Sequence, residues 1–158
     1  MTRKQVWQYR CGYCGKRGLS SGAMGRHEKR CTLNPDRICG VCAYCKKEQP
    51  KLYDLLAMLP KADPSRIAWP KVDWVAETLS PESKAAEDAV KAYREGLREQ
   101  VKKVWDDLYQ ASDECPACTL AALRQSGCAP VVDWWKFKDD LKETMCCEND
   151  RQAHNGYY

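Results

Sequence analysis

Near the N-terminus, the run CGYCGKRGLSSGAMGRHEKRC carries four side chains of the kinds that bind zinc. Two residues separate its first two cysteines, twelve residues follow, and three residues separate a histidine from the last cysteine. Structural zinc takes four tetrahedral ligands, and two ligands four apart on a helix lie one turn apart on the same face. The spacing therefore predicts a complete zinc site, with a turn supplying the first pair of ligands and a helix the second. The predicted ligands are Cys11, Cys14, His27 and Cys31.

The residues around these ligands extend the pattern. An aromatic residue, Tyr9, comes two positions before the first cysteine, and Met24 comes three positions before the histidine. In these features and in the ligand spacing, residues 9–31 resemble the two-cysteine two-histidine zinc-finger family, in the Cys-Cys-His-Cys variant. The resemblance implies that the first domain, residues 1–34, is a small ββα zinc finger. Gly18 stands where the family has its central aromatic residue, and we expect Leu19 to fill the small core instead.

The positive charge of the chain is concentrated in its first third. Residues 1–50 contain eleven Lys/Arg and three Asp/Glu, a net charge of +8, whereas residues 51–158 contain fifteen and nineteen, a net charge of −4. A basic segment attracts polyanions, although a solvated surface without a target has the same composition. The zinc-finger resemblance implies that Ser20, Ala23 and Arg26 face the bases, and only Arg26 has the reach to read guanine. We expect phosphate contacts, which carry no sequence choice, from Lys16, Arg17, Lys29 and Arg30.

A second group of cysteines is divided between two distant parts of the chain. CGVCAYC supplies Cys39, Cys42 and Cys45, and CPAC supplies Cys115 and Cys118. Because neither part completes a tetrahedron alone, we predict that the fold joins them around a second structural zinc ion, making two per chain. The CxxC spacing favours Cys42 over Cys45 as the partner of Cys39, and both alternatives stay open. A thioredoxin-like dithiol is the other interpretation of CPAC, but no βαβ pattern surrounds it.

The remaining cysteines bear on the compartment. Eleven cysteines in a secreted chain would indicate disulfides and leave one unpaired. The N-terminus MTRKQVWQYR has no apolar signal core, and no apolar run approaches the roughly 20 residues that span a bilayer. We therefore expect a cytoplasmic protein with no membrane partner. In a reducing compartment the other thiols would be buried or free, namely Cys128, Cys146 and Cys147.

Residues 35–158 are predicted to form a helical domain, with the cysteine knuckle at 39–45 and the CPAC helix start at 115–118. The predicted fold class is mainly α, with the small N-terminal finger and a helical body clipped by the four-cysteine site. Leucines recur at helical spacing in PKLYDLLAMLP, and the following KADPSRIAWPKVD is predicted to be a loop.

The longest periodic element begins at Ser80, which can cap a helix and is followed by a proline suited to the first turn. Apolar residues recur at helical spacing from Ala86 to Leu108, which predicts one helix of about 30 residues with Gly96 as a candidate kink. A last helix is predicted in DWWKFKDDLKETMCCEND. We expect the core to contain Leu97, Trp105, Leu108 and Leu141.

The supply of catalytic side chains favours binding over catalysis. Of the two histidines, His27 is a predicted ligand and His154 lies in a polar tail, where HNG resembles the His-Asn pair of HNH nucleases without their hairpin or metal ligands. We therefore predict that the chain is not an enzyme. The favoured function is a zinc-binding accessory protein that associates with nucleic acid through its basic finger, with low sequence specificity. The alternative is a structural or protein-interaction module in which zinc only stabilises the fold.

The order of the motifs gives a further resemblance. CxxC with HxxxC, then NP, a second cysteine group and a late CPAC are similar to uncharacterised zinc proteins of phages and prophages. This resemblance implies a phage-encoded protein that works in the host cytoplasm, and a host or virion protein as the target if the partner is a protein. DNA, RNA and protein stay open as partners, and the sequence sets no oligomeric state.

Overall fold

The computed structural model describes residues 7–69 and 81–132, most of which are helical. Two short strands, β1 (Tyr9–Arg10) and β2 (Arg17–Gly18), form an antiparallel sheet. The helices are α1 (Ser21–Arg30), α2 (Gly40–Tyr44), α3 (Leu52–Ala57), α4 (Pro64–Ile67), α5 (Pro81–Lys103), α6 (Trp105–Ala111) and α7 (Pro116–Gln125), and a 3₁₀ turn follows at Ala129–Val131. The prediction of a mainly α fold is confirmed.

The register of the sheet decides which side chains face α1. Tyr9 lies opposite Gly18, and Arg10 lies opposite Arg17. A β-carbon added at Gly18 would come within 2.9 Å of the methyl carbon of Met24 on α1, so the Tyr9–Gly18 pair faces the helix. Because successive residues of a strand point to opposite faces, the Arg10–Arg17 pair faces away from the helix.

The sheet and α1 together form the first unit of the fold. Its core is filled by other side chains than those predicted. Met24 is buried at 7% exposure and packs with Cys11 and Cys31, whereas Leu19 is 69% exposed. The expectation that Leu19 replaces the missing aromatic residue is therefore wrong. Since Gly18 faces inward, the next residue faces solvent, and the flexible Met24 side chain takes the space that the glycine leaves.

The helical body is built around one larger core. It draws on all the helices of the body and on the 3₁₀ turn, and its buried aliphatic side chains include Leu55, Leu97, Leu108, Leu123 and Val131. Leu97 and Leu108 are thus buried as predicted, and Trp105 is partly buried against the same core. Several other predictions fall outside the described residues: the cap at Ser80, the last helix with Leu141, and the side chains of Cys146, Cys147 and His154.

The predicted helix of about 30 residues is interrupted once. The break lies at Val104, where φ is −103° and ψ is 5°, between α5 and α6. The Val104 amide donates to the Val101 carbonyl at 3.2 Å, which is the tighter bonding of a 3₁₀ turn. Gly96 lies inside α5 without interrupting it, so the candidate kink is misplaced by eight residues.

The segment predicted as a loop contains a short helix. Asp63 accepts a hydrogen bond from the Ser65 amide at 2.9 Å, and Pro64 occupies the first turn, so α4 has both a cap and a suitable first residue. No described helix is long and apolar enough to cross a membrane.

A glycine, Gly127, follows the last turn of α7. Gly127 has a φ of +80°, and a β-carbon there would lie 3.2 Å from the β-carbon of Ala62. The Ala62 amide also donates to the Ser126 carbonyl at 2.9 Å, so the chain before α4 is tied to the end of α7. Both the left-handed conformation and the close approach require glycine at this position.

Candidate metal centres

The first cluster is assembled from the hairpin and α1. Cys11 follows β1, and its amide donates to the Lys16 carbonyl at 2.8 Å, which closes the turn that carries Cys14. His27 lies in the last turn of α1, and Cys31 is the residue that ends it. The Cys14 Sγ atom lies 3.1 Å from His27 Nε2, and the four ligand atoms all lie within 4.8 Å of one another.

The groups around this cluster suit metal binding. Glu28, the only acidic residue of α1, accepts a hydrogen bond from the Gly12 amide at 2.9 Å and so holds the CxxC turn against the helix. Burial, and then the charge of Lys16, lower the pKa of His27, which favours the neutral imidazole that a metal requires. Burial raises the pKa of Cys31 to about 11, so without a cation its thiol stays protonated.

The second cluster joins two helix starts that are far apart in sequence. Cys39 precedes α2 and Cys42 lies inside it, while Cys115 precedes α7 and Cys118 lies in its first turn. All four thiols are buried, and their sulfur atoms lie within 4.8 Å of one another. Cys45 is exposed and lies outside the cluster. Of the two alternatives that the sequence leaves open, Cys42 is the one that the fold places there.

The sulfur–sulfur distances distinguish a metal cluster from disulfides. Cys42 Sγ lies 3.4 Å from Cys115 Sγ and 3.6 Å from Cys118 Sγ, and Cys39 Sγ lies 3.7 Å from Cys115 Sγ. A disulfide needs about 2.05 Å. Zinc–sulfur bonds of about 2.3 Å place the corners of a tetrahedron about 3.8 Å apart. The donor set and its spacing therefore fit a tetrahedral metal ion.

The charge state of the second cluster leads to the same conclusion. Hydrogen bonds from the Cys115 and Cys118 thiols lower the pKa of Cys39, whereas burial raises the pKa of Cys42 to about 12. The hydrogen bond with Cys115 and the proximity of Cys39 raise the pKa of Cys118. One thiolate thus suppresses ionisation of its neighbours, and a bound divalent cation removes this repulsion.

Two residues beside the second cluster carry no signal in the sequence. The Cys39 amide donates to the side-chain oxygen of Gln49, whose Nε2 atom donates to the Arg37 carbonyl at 2.9 Å. Arg37 is itself buried beside Cys118. Neither residue belongs to a ligand spacing, so only the folded chain reveals that they contact the cluster.

A short connector, residues 32–34, lies between the two clusters in sequence and is hydrogen-bonded to the helices on both sides of it. Asn34 is buried, and its Nδ2 atom donates to the Glu28 carbonyl at 2.8 Å, at the end of α1. From α7, Gln125 Nε2 donates to the Thr32 carbonyl at 2.9 Å and to the Asn34 carbonyl at 3.0 Å. Asn34, the last residue of the predicted first domain, therefore lies at a hydrogen-bonded corner that contacts the helical body.

The basic side chains lie on outward faces of the first unit. On α1, Met24, His27 and Cys31 share the inner face, so helical spacing places Arg26 and Lys29 on the opposite one. Arg30, at the side of the helix, is exposed as well. On the sheet, Arg10 and Arg17 are exposed, and no ion pair involves either residue in the part of the chain that the structure describes. Lys16, from the turn between the strands, is also exposed.

Two details alter the predicted set of contact residues. Ser20, which the resemblance places toward a base, caps α1, since its hydroxyl oxygen accepts a hydrogen bond from the Ala23 amide at 3.3 Å. Arg10 was missed, although the period-two alternation of the strand pairs it with Arg17. Like charges directly opposite one another in a sheet repel, and a bound anion relieves that repulsion.

One more predicted thiol is accounted for. Cys128 is buried and free, and its Sγ atom donates to the Pro60 carbonyl at 3.1 Å. Burial raises its pKa, so it is a neutral core thiol and not a ligand.

Comparisons with known proteins give one short similarity. No protein-family model matches the chain, and no solved structure matches it. A segment of 38 residues is 45% identical to "Defective intron-associated endonuclease 3" of Enterobacteria phage T4. The segment covers 24% of this chain and 39% of that protein, so the chain spans about two fifths of the length of this relative.

Proposed function

We propose that this chain is a zinc-binding accessory protein that associates with nucleic acid through its first unit, with little sequence choice. The observation that carries the proposal is the outward arrangement of the basic side chains around the first cluster. Residues 9–31 contain six Lys/Arg and one Asp/Glu, and that one acid is engaged with the CxxC turn. Residues 9–31 therefore carry a net charge of +5 (six minus one), which attracts a polyanion.

The metal is proposed to be zinc at both clusters, with the first unit folding as a zinc finger of the Cys-Cys-His-Cys kind. Three thiolates with one imidazole, and four thiolates, are ligand sets that structural zinc takes in proteins. Zinc would supply the charge that lets the thiols ionise together and would cross-link the chain. In a structural site all four positions are taken by protein ligands, so no position remains for a reacting water. We accordingly propose binding without catalysis.

The similarity to a phage protein supports the nucleic-acid reading over a purely structural one. The relative is called a defective intron-associated endonuclease, and the substrate of an endonuclease is nucleic acid. The shared segment is a minority of both chains, so a common binding element is a closer fit than a common activity. A phage origin and action in the host cytoplasm remain parts of this proposal.

The test measures binding to random duplex DNA as a function of salt. The variant replaces Lys16, Arg17, Lys29 and Arg30 by Ala, and the control variant replaces four exposed basic residues of the helical body, Lys51, Lys84, Lys102 and Lys103. Each lost phosphate contact lowers the salt slope by about 0.9, so the first variant should bind all sequences more weakly with a flatter slope. The control should keep the slope of the unmodified chain.

Arg26 serves as a separate probe of sequence choice. Arg26→Ala should weaken binding to guanine-containing sites alone, by about 1–3 kcal/mol, because a guanidinium reads the guanine edge. Equal loss on all sequences would reduce Arg26 to a phosphate contact. No binding at low salt by the zinc-loaded chain would remove the nucleic-acid proposal.

A protein partner is the second candidate. The observation that favours it is the exposure of large apolar side chains on the described surface, among them Trp7, Leu19 and Tyr53. Large apolar side chains such as these take part in protein interfaces when they form a contiguous patch. A pull-down that retains one specific protein after nuclease treatment, from a chain that binds no DNA at low salt, would favour this candidate.

A further inference from the structure

Arg37 is a buried cation at the second cluster. It is 6% exposed, its NH1 atom donates to the Ala117 carbonyl at 3.2 Å, and the same atom lies 3.9 Å from Cys118 Sγ. Its Nε atom is buried without a hydrogen-bond partner among the described residues. Within the same described ranges, no carboxylate forms an ion pair with it.

A buried arginine in this position needs an anion. The guanidinium stays protonated in proteins, so it cannot escape the cost of burial by losing its charge. An uncompensated buried charge strongly destabilises a fold. Since no carboxylate forms an ion pair with Arg37 in the described chain, the groups beside it that can balance its charge are the thiolates of the adjacent cluster.

The charge of a filled second cluster matches this need. A divalent ion with four thiolates has a net charge of 2−, whereas a divalent ion with three thiolates and a neutral imidazole has a net charge of 1−. The first cluster has an exposed member, Cys14, and water can screen it. All four cysteines of the second cluster are buried, so the larger negative charge of its filled state must be balanced by a group of the protein.

We propose that Arg37 is the counter-ion of the second metal centre: its guanidinium stabilises the four-thiolate, metal-filled state and fixes the orientation of α7 at Cys118. The inference rests on the proposed filling of that centre by zinc. It makes Arg37 a positioning residue, since it acts on the metal through the thiolates. Arg37 should therefore stabilise the filled state. It should not stabilise the empty state, because neutral thiols leave the buried cation without an anion.

The experiment compares three variants of the full chain. Arg37→Met removes the charge and keeps the length, Arg37→Lys keeps a charge, and Arg98→Met is the matched control. Arg98 also donates to a backbone carbonyl of another element, that of Val131 at 3.2 Å, but belongs to neither cluster. Zinc transfer to a competing chelator is followed over time, with native mass spectrometry counting the ions that remain.

Arg37→Met should accelerate the loss of one zinc ion by about 10–100-fold, the usual effect of removing a group that supports metal ligands. The other ion, in the first centre, should leave at the rate of the unmodified chain. Arg37→Lys should restore most of the slow release, and Arg98→Met should leave both rates unchanged. The affected ion is assigned to the second centre if its release phase is absent from Cys42→Ser.

Stability provides the readout that a purely structural role would not produce. Loss of Arg37 should lower the unfolding temperature of the zinc-loaded chain and leave that of the zinc-free chain unchanged or higher. A structural hydrogen bond to Ala117 alone would lower both. Arg37→Met that stays unfolded with zinc while Arg37→Lys folds supports the inference, whereas failure of both to fold overturns it, since charge is then not what matters.

Two outcomes separate this inference from the proposed function. If the unmodified chain holds two zinc ions and Arg37→Met releases them as Arg98→Met does, the counter-ion role is wrong and the metal sites stand. If the unmodified chain holds one zinc ion, the second centre and the inference fall together. Equal acceleration by Arg37→Met and Arg37→Lys also overturns the inference.

Discussion

Cys42 and Cys45 form a natural pair of test positions for the second centre. They lie three residues apart on one short segment, but Cys42 is 2% exposed inside the cluster whereas Cys45 is exposed outside it. Serine has nearly the same shape as cysteine but is a poor zinc ligand. Cys42→Ser therefore removes one ligand from the proposed centre, and Cys45→Ser removes a similar atom without touching it.

The expected magnitude follows from the energetics of structural zinc. Such an ion contributes about 10–16 kcal/mol of apparent binding free energy, so one ligand of four carries roughly 2.5–4 kcal/mol. The whole free energy of unfolding of a domain is about 5–15 kcal/mol. With about 3 °C per kcal/mol for a chain of this size, Cys42→Ser should lower the unfolding temperature by roughly 10 °C. Cys45→Ser should stay within about 0.5 kcal/mol of the unmodified chain.

The assay combines two measurements on each variant. Metal content per chain is measured by elemental analysis, and thermal unfolding is followed by circular dichroism at 222 nm. Cys42→Ser should carry one zinc ion fewer and unfold earlier, and Cys45→Ser should match the unmodified chain in both. The opposite pattern, with zinc lost from Cys45→Ser and kept by Cys42→Ser, would refute the assignment of the second cluster.

Three further predictions test the fold and the proposed role. Gly127→Ala should destabilise the chain by about 1–2 kcal/mol, because alanine is strained at a φ of +80° and its β-carbon would press on Ala62. Gly96→Ala, with nothing within 4 Å of the added carbon, should stabilise the chain by about 1 kcal/mol. Thermal unfolding that shifts in the same direction for both variants would contradict this prediction. Gln125→Ala removes both hydrogen bonds to the connector and should lower the free energy of unfolding by about 1–3 kcal/mol without changing the metal count, so a lost zinc ion would show that the connector also shapes a metal site. Supercoiled plasmid incubated with the zinc-loaded chain and Mg²⁺ should remain intact in a gel assay, and nicked or linear product would contradict binding without catalysis.

Sequence patterns predicted the features of the fold that depend on residues close together in the chain. The CPAC helix start is an example, since proline in the first turn and a glycine after the last turn mark α7 without reference to the rest of the chain. The two ligand groups are another, because ligand chemistry requires four donors and the sequence offers two sets. Which cysteine completes the second set depends on how α2 meets α7, and that is a tertiary contact.

The features that were wrong or missed depend on such contacts. Met24 fills the space above Gly18 because a long flexible side chain on α1 reaches across the sheet, and no sequence period encodes that reach. The break at Val104 interrupts an apolar stripe that continues without a change of spacing, so the pattern alone predicts one helix. In the sequence, Arg37 is one more basic residue of the positively charged segment 1–50. Only its burial against α7 distinguishes it from the others.

Our main proposal is that two sets of four ligands each hold one structural zinc ion. Native mass spectrometry of the full chain, before and after treatment with a strong chelator, tests it most directly, with circular dichroism recorded on the same samples. We predict two zinc ions per chain, their complete loss on chelation, and a simultaneous loss of helical signal. A chain that carries no zinc as purified, or that keeps its full helical signal after both ions are removed, would contradict it.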